Sequence, residues 1–445
     1  MPALRDLSPI HGLPVIGSLL DYHRDALGLF KQMAAHGDLT TCSLMGQRLT
    51  LVNSPALVHS LLVEHGHKVQ KSDEFMDAAD LLVGHGLVTI SESDHKRERG
   101  LVASAFTPSA TESYADLVNR IADLSQQSFK NDDEILLGRE MMRITLRIIG
   151  QILFGVDLEG ASAQLWNTFT VALEAMHKQM SALIPLPVSV PTPGHLAYRK
   201  ATADLDAIIF EVIHEHRRTL GQRDDLLARL LKAQSEDDGG FLTDKQIRDE
   251  LNTMLIAGHE TTANALAFTW SHIAHDPEVY ARLRAEVTQV LGGRTATPAL
   301  IKAMPYLNQI WSEALRMYPP VYVTDRQALE PFTLGGYDVA KGDLMVVCPY
   351  TLHRRTDVFE DPERFDPERF TPEKTARLPK GAYIPFGEGH RVCIGRWLAT
   401  MEALLMICCW VQNFTFAPTQ SHPARAEAVL TLRPDPQFKL RISRP

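Results

Sequence analysis

The chain of 445 residues is poor in cysteine, with only Cys42, Cys348, Cys393, Cys408 and Cys409. The set is odd and scattered and contains no CxxC pair, so neither a disulfide framework nor a zinc site is expected. A reducing cytoplasm is the simpler setting. No stretch approaches 20 uninterrupted apolar residues, so no helical membrane span is expected. The N-terminus, MPALRDLSPIHGLPVIGSLLDYHRDALGLF, lacks a basic segment followed by an apolar run. Asp6, Pro9, His11 and Pro14 interrupt it, and no signal peptide is expected. Positive charge is not in excess: 45 Lys+Arg face 54 Asp+Glu, a net charge of −9 with pI ≈ 6.1. That balance argues against a nucleic-acid binder. There is no Gly/Ser linker, low-complexity run or repeat. Length alone suggests about three domains, yet without boundaries a single domain over residues 1–445 is expected.

What the chain does have is helix. Hydrophobic residues make up 45% of it, enough for a large core. Apolar spacing and a glycine stop predict a helix over Asp25–Gly37. A hairpin is expected over Leu39–Ser54, turning at Gly46. A run of helices follows from Pro55 to about Phe210, loosened at LIPLPVSVPTPGH (Leu183–His195), whose prolines rule out a continuous helix. SEDDGG (Ser235–Gly240) reads as an exposed loop. Helices are expected over Asp244–His275 and Pro298–Tyr318. Short strands follow around VYVTDRQAL, FTLGGYDVA and LMVVCPY, then a proline-rich charged segment, Asp357–Pro379. RWLATMEALLMICCWVQNF reads as a buried helix, and the chain ends in a strand pair. The expected class is mainly α with a small β region.

Four stretches carry chemistry. In PFGEGHRVCIG (Pro385–Gly395) a cysteine stands among glycines just before an apolar helix. Unsatisfied N–H groups at a helix start favour a thiolate. A lone thiolate on a glycine loop suits an iron already held by a macrocycle, that is, haem with an axial cysteine. The plain alternative is a buried core cysteine. In LIAGHETTANAL (Leu255–Leu266), Gly258 costs about 1 kcal/mol against alanine inside a helix. Glu260 is a charge on an apolar stretch, and Thr261 and Thr262 can bond back to carbonyls. A local widening there would open a polar notch, with a proton route through carboxylate, hydroxyl and water. The alternative is a solvent-facing glutamate among ordinary helix threonines. In SEALRMYPP, Glu313 and Arg316 share a helix face at i,i+3, which by default is a surface pair. In DHKRERG, His95 and Arg99 share a face at i,i+4, and Lys96, Arg97 and Glu98 read as exposed charges.

Together these residues resemble the cytochrome P450 superfamily. The haem loop F-x-x-G-x-R-x-C-x-G is matched at Phe386, Gly389, Arg391, Cys393 and Gly395. Chance would produce such a match on the order of 10⁻⁴ times in a chain this long. AGHETT is similar to the family's oxygen-binding motif, and the stretches occur in the family's order along the whole chain. The resemblance implies the P450 fold, with haem b between the long oxygen-binding helix and the helix after the cysteine loop. It implies Cys393 as the iron ligand, Phe386 packed near the sulfur and Arg391 paired with a haem propionate. Gly395 completes the loop. His95, Arg99 and Arg326 become further propionate partners, since those anions favour arginine or histidine. The acid role falls to Glu260 and the alcohol role to Thr261. Glu313 and Arg316 become part of a buried structural triad with an arginine of FEDPERFDPERF, where Arg369 fits better than Arg364.

The implied function is a haem-thiolate monooxygenase of secondary metabolism, soluble and cytoplasmic. It would insert one atom of O2 into a lipophilic small molecule of terpenoid, polyketide or fatty acyl type. Epoxidation, ring closure or desaturation by the same oxidant is the alternative outcome. The Glu260–Thr261 pair argues against a peroxygenase and against a non-catalytic haem-binding protein. Nothing reads as an NAD(P)H or flavin site, so electrons are expected from a ferredoxin or flavodoxin with its reductase. Docking is expected where His95–Arg99 and Arg391–Arg396 are locally basic. By the same resemblance the pocket is lined by Phe75–Val88, Met176–Val188, Ala257, Val321–Thr324 and Leu430, mostly apolar.

Overall fold

The computed structural model describes residues 1–445 except 11, 156–162, 181–185, 187–188, 220, 224, 234–239 and 445. Most of the expected Ser235–Gly240 loop, and much of Leu183–His195 and Met176–Val188, therefore lies outside the described residues. The helices used below are α1 (Leu19–His36), α2 (Asp73–Val83), α3 (Glu92–Ala103), α4 (Leu137–Phe154), α5 (Pro193–Arg218), α6 (Asp244–His275), α7 (Pro305–Met317) and α8 (Arg396–Asn413). The strands are β1 (Leu39–Leu44), β2 (Gln47–Val52), β3 (Val69–Gln70), β4 (Thr324–Ala328) and β5 (Leu344–Val347). Among the described residues no helix is long and apolar enough to cross a membrane.

Local chemistry sets the element ends. α6 spans the residues read from the sequence because Thr243 builds a capping box. Thr243 Oγ1 accepts the Gln246 N–H at 3.2 Å, and Gln246 Oε1 accepts the Thr243 N–H at 3.0 Å. α1 begins at Leu19, earlier than expected, and is kinked at Asp25, whose φ of −155° leaves the helix. Asp25 Oδ1 accepts the Gly28 N–H at 2.9 Å, so the helix-start signal is real but lies inside a longer, broken helix. The helix expected over Pro298–Tyr318 is two, Pro298–Lys302 and α7. Pro305 has no N–H to extend the first and is pre-set to begin the second.

Contacts divide the chain into two compact units. The first comprises Met1–Glu74, Gln309–Cys393 and Ala426–Arg433. Its sheet has the order β1-β2-β5-β4-β3. β1 and β2 pair antiparallel, Leu39 opposite Val52, and β2 runs parallel to β5 with Val52 opposite Val347. Both turn residues, Met45 (φ 50°) and Gly46 (φ 86°), have positive φ, the geometry that matches strand twist in a two-residue hairpin. Val52, Val58, Leu61, Met345, Val347 and Ile384 are among the residues of its apolar core.

Below that sheet chemistry, α7 holds a buried ion pair. Glu313 and Arg316 are both 0% exposed. Arg316 Nε donates to Glu313 Oε2 at 2.7 Å and Nη2 to Oε1 at 2.9 Å. Glu313 Oε1 also accepts the Asp366 N–H at 2.8 Å and Arg369 Nε at 3.3 Å. Arg369 is thus the arginine that reaches the pair, while Arg364 offers only its carbonyl to Arg316, at 3.4 Å. Arg316 Nη1 donates to the His353 carbonyl at 2.9 Å.

The second unit comprises Phe75–Asn308, Ile394–Arg425 and Pro434–Pro445. α4 packs along α6. At Gly258 a Cβ would press on the Ile149 side chain of α4, so the glycine that looks costly inside α6 is what lets the two helices approach. Trp270 of α6 lies 5.5 Å from Trp410 of α8 and 4.8 Å from Phe416, and the Trp410 and Phe416 rings stack at 5.0 Å. This aromatic cluster joins α6 to α8.

Two measurements test these contacts. Glu313→Ala leaves the Arg316 charge buried without its carboxylate, and a loss of about 3–5 kcal/mol is expected in urea unfolding; an unchanged midpoint would remove the pair from any bracing role. Buried histidines give a second handle. Burial, reinforced by Arg316, pushes His353 down to about 3, and burial pushes His259 down to about 4. The folded state therefore binds fewer protons than the unfolded state at pH values below about 6.5. Stability falls as pH drops through that value and keeps falling to those lower limits, by at most about 1.4 kcal/mol per pH unit for each ring. The urea midpoint should already be lower at pH 5.5 than at pH 7, and His353→Asn should reduce that difference.

Candidate active site

The cysteine loop belongs to the first unit, where local bonds fold it tightly. The Gly387 N–H donates to the Ile384 carbonyl at 3.0 Å, the Val392 N–H to Gly389 at 3.1 Å, and the Cys393 N–H to Phe386 at 2.9 Å. Gly389 has φ 77°, and a Cβ there would overlap the Leu62 carbonyl, so only glycine can lie in that conformation against that turn. Glu388 Oε1 meets His59 Nδ1 at 2.8 Å. The loop's base is tied down by His353. Its Nε2 accepts the Ile384 N–H at 2.9 Å, so the proton sits on Nδ1 and is donated to the Arg316 carbonyl at 3.2 Å. Sequence reasoning missed His353, because a lone histidine gives no spacing signal.

Cys393 is the one exposed cysteine of the five. Burial pushes the thiols of Cys42 and Cys348 up to about 11 and that of Cys408 up to about 12, and it raises Cys409 further. Those four are held as thiols; only Cys393 presents its sulfur outward. Phe386 is half-buried beside it in the chain fold, and Gly395 caps the start of α8.

Positive charge gathers in the same unit. Arg326, on β4 and 8% exposed, donates from Nη1 to Thr324 Oγ1 at 3.1 Å and to the Asp325 carbonyl at 2.6 Å. Lys71 Nζ donates to Thr324 Oγ1 at 2.7 Å and pairs with Asp325 at 3.3 Å. Burial pushes Lys71 down to about 8, Asp325 pulls it back up, and Arg326 and Arg391 push it down again. Lys71 therefore feels the charges of both Arg326 and Arg391, with Asp325 as the compensating carboxylate. An outward thiol and a group of cations within the same unit form a donor set that fits haem, whose iron takes a thiolate and whose propionates are anions. Lys71 was not foreseen, since VQKSDEF carries no pattern that marks a lysine as buried.

In the second unit α3 carries His95, buried, and Arg99, half-buried. Glu98 overturns its expected exposure. It is 5% exposed, because at i,i+3 it shares the inward face with His95. Glu260 of α6 is 1% exposed. Thr261 Oγ1 donates to the Ala257 carbonyl at 2.5 Å. α6 remains an unbroken α-helix here, so the expected widening is not found. The hydroxyl bond satisfies the carbonyl one turn back without opening the ladder. His259 points the other way, its ring edge-on to Phe169 at 5.8 Å, while its carbonyl accepts Thr145 Oγ1 at 3.1 Å. Ala257, Gly258 and Thr261 form an accessible strip on a helix otherwise largely buried from Leu251 to Ala274.

Comparison with known proteins follows the same lines. The family described as Cytochrome P450 matches residues 7–442. Cyclooctatin synthase of Streptomyces melanosporofaciens is 31% identical over 431 residues, covering 96% of this chain and 92% of that protein. Cyclooctat-9-en-7-ol 5-monooxygenase of the same organism is 30% identical, over 91% of this chain and 88% of that protein. Pentalenene oxygenase of Streptomyces avermitilis is 30% identical, over 97% and 96%. Among solved structures, the cytochrome P450DA heme domain superposes with a TM-score of 0.88 at 27% identity, covering 99% of this chain and 98% of that one. The helical architecture, the thiol loop and these matches agree: the chain belongs to the cytochrome P450 family of monooxygenases.

Proposed function

We propose that the protein is a cytoplasmic haem-thiolate monooxygenase that inserts one atom of O2 into a neutral, lipophilic terpenoid. The observation that carries the reading is Cys393, the single outward thiol, on a loop fixed by its own backbone bonds. Haem b, when bound, supplies the activation of O2 and the oxidising power. The chain supplies the rest. Cys393 would ligate the iron, with Phe386 shielding the sulfur and Gly395 leaving room at the helix start. Arg391, Arg326, His95 and Arg99 would take the propionates, and Lys71 joins them. Thr261 has spent its hydroxyl proton on the Ala257 carbonyl, so its oxygen is left to accept a hydrogen bond from a bound water. Glu260, buried one residue away, would hold and pass the proton to that water.

The substrate class rests on the relatives, whose names specify a cyclooctat-9-en-7-ol monooxygenase and a pentalenene oxygenase. Both are terpenoids, in keeping with the apolar lining expected around Phe75–Val88 and Ala257. Electrons would come from a ferredoxin or flavodoxin with its reductase. Lys96 and Arg396 are exposed and would offer positive charge to an acidic carrier.

The test is a titration of the purified ferric protein with a panel of terpenes, fatty acids and macrolides, followed in the Soret band. A tight shift confined to terpenes, with an oxygenated product once a ferredoxin system is added, is the expected result. Tight shifts by another class move the substrate assignment, and the absence of a thiolate haem spectrum removes the whole reading. Cys393→Ser should abolish that spectrum. Glu260→Gln should keep the ligand shift and lower product formation at least ~100-fold; full turnover on peroxide alone in the parent protein would instead favour a peroxygenase.

A further inference from the structure

The part of α6 that precedes AGHETT is polar and buried in a way the proposed reaction does not use. Arg248, Asp249, Glu250 and Asn252 are at most 6% exposed. Arg248 and Asn252 meet the last turn of α2, and Asp249 and Glu250 face the segment that leads from α2 to α3. Arg248 Nη2 donates to the Leu81 carbonyl at 3.3 Å and Asn252 Nδ2 to the Leu82 carbonyl at 2.8 Å. Asp249 Oδ2 accepts the His85 N–H at 3.1 Å. The Leu87 N–H stands near Glu250, short of hydrogen-bond geometry.

Most of these charges are balanced. Arg248 pairs with Asp206 of α5 at 2.6 Å and with Asp249 at 2.8 Å, and Lys245 reaches Asp249 at 2.9 Å. Glu250, 0% exposed, is the exception. The side chain facing it is another carboxylate, Glu98 of α3, whose Oε1 accepts Gln246 Nε2 at 2.9 Å. Glu98 Oε2 and both Glu250 oxygens are buried and lack a donor. Two buried carboxylates that close do not both ionise, and one proton placed on either gives the other the donor it lacks.

We propose that Glu98 and Glu250 share one proton, and that this proton clasps α3 and residues 84–90 to α6, making the pair a pH-sensitive positioning device. Other groups surround it: Asp94, His95 and Arg97 from α3, and Gln246 and Asp249 from α6. The clasp itself does not depend on the haem reading. Its consequence for ligand entry does, because residues 75–88 are a pocket wall only under that reading.

The direction of the pH effect follows from linkage. Burial, then the Glu98 charge, push the Glu250 carboxyl up to about 8, and burial raises Glu98 as well. In an opened, solvated state the carboxyl returns to its ordinary value near 4.5. The closed state therefore binds the proton more tightly, and closure weakens as pH rises from about 4.5 to about 8, then levels off. The opening constant rises by at most about tenfold per pH unit inside that window.

The test is hydrogen exchange by mass spectrometry on the purified, haem-loaded protein from pH 5 to 9. Protection factors are read for residues 84–90 and 95–101, corrected by an unstructured reference peptide. In the parent protein, protection is expected to fall steeply up to about pH 8 and then flatten. Glu250→Gln and the double variant E98Q/E250Q keep the shape of the pair. The first removes the shared proton and leaves Glu98 with a permanent donor, and the second removes both carboxyls. The double variant should therefore give a flat profile and the single variant a much shallower one than the parent. A parent-like slope in either variant, or no slope in the parent, overturns the proposal. A flat variant whose ligand-induced Soret shift keeps the parent's pH dependence would leave the clasp standing and detach it from ligand entry.

Discussion

The buried pair of Glu313 and Arg316 is the interaction on which the rest of the first unit hangs. Two opposite charges removed from water are tolerated only if the remaining donors and acceptors are also met. Here they are met by segments far apart in sequence. Asp366 and Arg369 supply Glu313, and the carbonyls of His353 and Arg364 supply Arg316. Satisfying a single ion pair thus folds the proline-rich stretch over α7. The same demand runs onward. The Arg316 carbonyl fixes the His353 tautomer, His353 takes the Ile384 N–H, and the Ile384 carbonyl takes the first turn of the cysteine loop. The backbone of Cys393 stands at the end of a series of hydrogen bonds, linked through short pieces of chain, that begins at a carboxylate with no solvent exposure.

A similar economy governs the second unit. α6 is largely buried along its length, so each polar side chain on it must find a partner or keep a proton. Toward its start the partners are backbone groups of residues 81–85, so the helix holds the last turn of α2 and the start of the segment that follows it. At Gly258 the helix loses its side chain and gains the close approach of α4. At Thr261 it turns a hydroxyl back on itself. Two features that looked like defects in one helix have separate causes: packing at Gly258 and internal bonding at Thr261.

What could be read in the sequence follows from range. Caps, proline breaks and motif spacing are local, so the span of α6, the hairpin at Met45-Gly46 and the cysteine loop were all legible. The break at Pro305 was equally local and should have been read, since proline cannot continue the helix before it. Burial is not local. Glu98 reads as one more charge in DHKRERG, and Lys71 and His353 read as nothing at all, because their surroundings are assembled from residues hundreds of positions away or from other helices. The motif also told which arginine of the doubled PERF stretch should reach Glu313, but only the chain's course shows that Arg364 contributes its carbonyl instead.

For a neutral terpenoid these long-range polar contacts carry a further meaning. Such a ligand offers few groups to bond, and an added or missing methylene changes binding in an apolar pocket by only about 1–3 kcal/mol. Selectivity must then come from shape, and shape discriminates only if the wall does not yield. An apolar wall cannot anchor itself with apolar contacts alone, because these have no preferred direction. Directional bonds have to hold it from behind. Arg248, Asp249 and Asn252 do this for residues 81–85 from a helix that also carries the Glu260–Thr261 pair. Under the proposed reading this one helix would set both where a substrate rests and where a proton is delivered, through polar groups that the substrate itself would not touch.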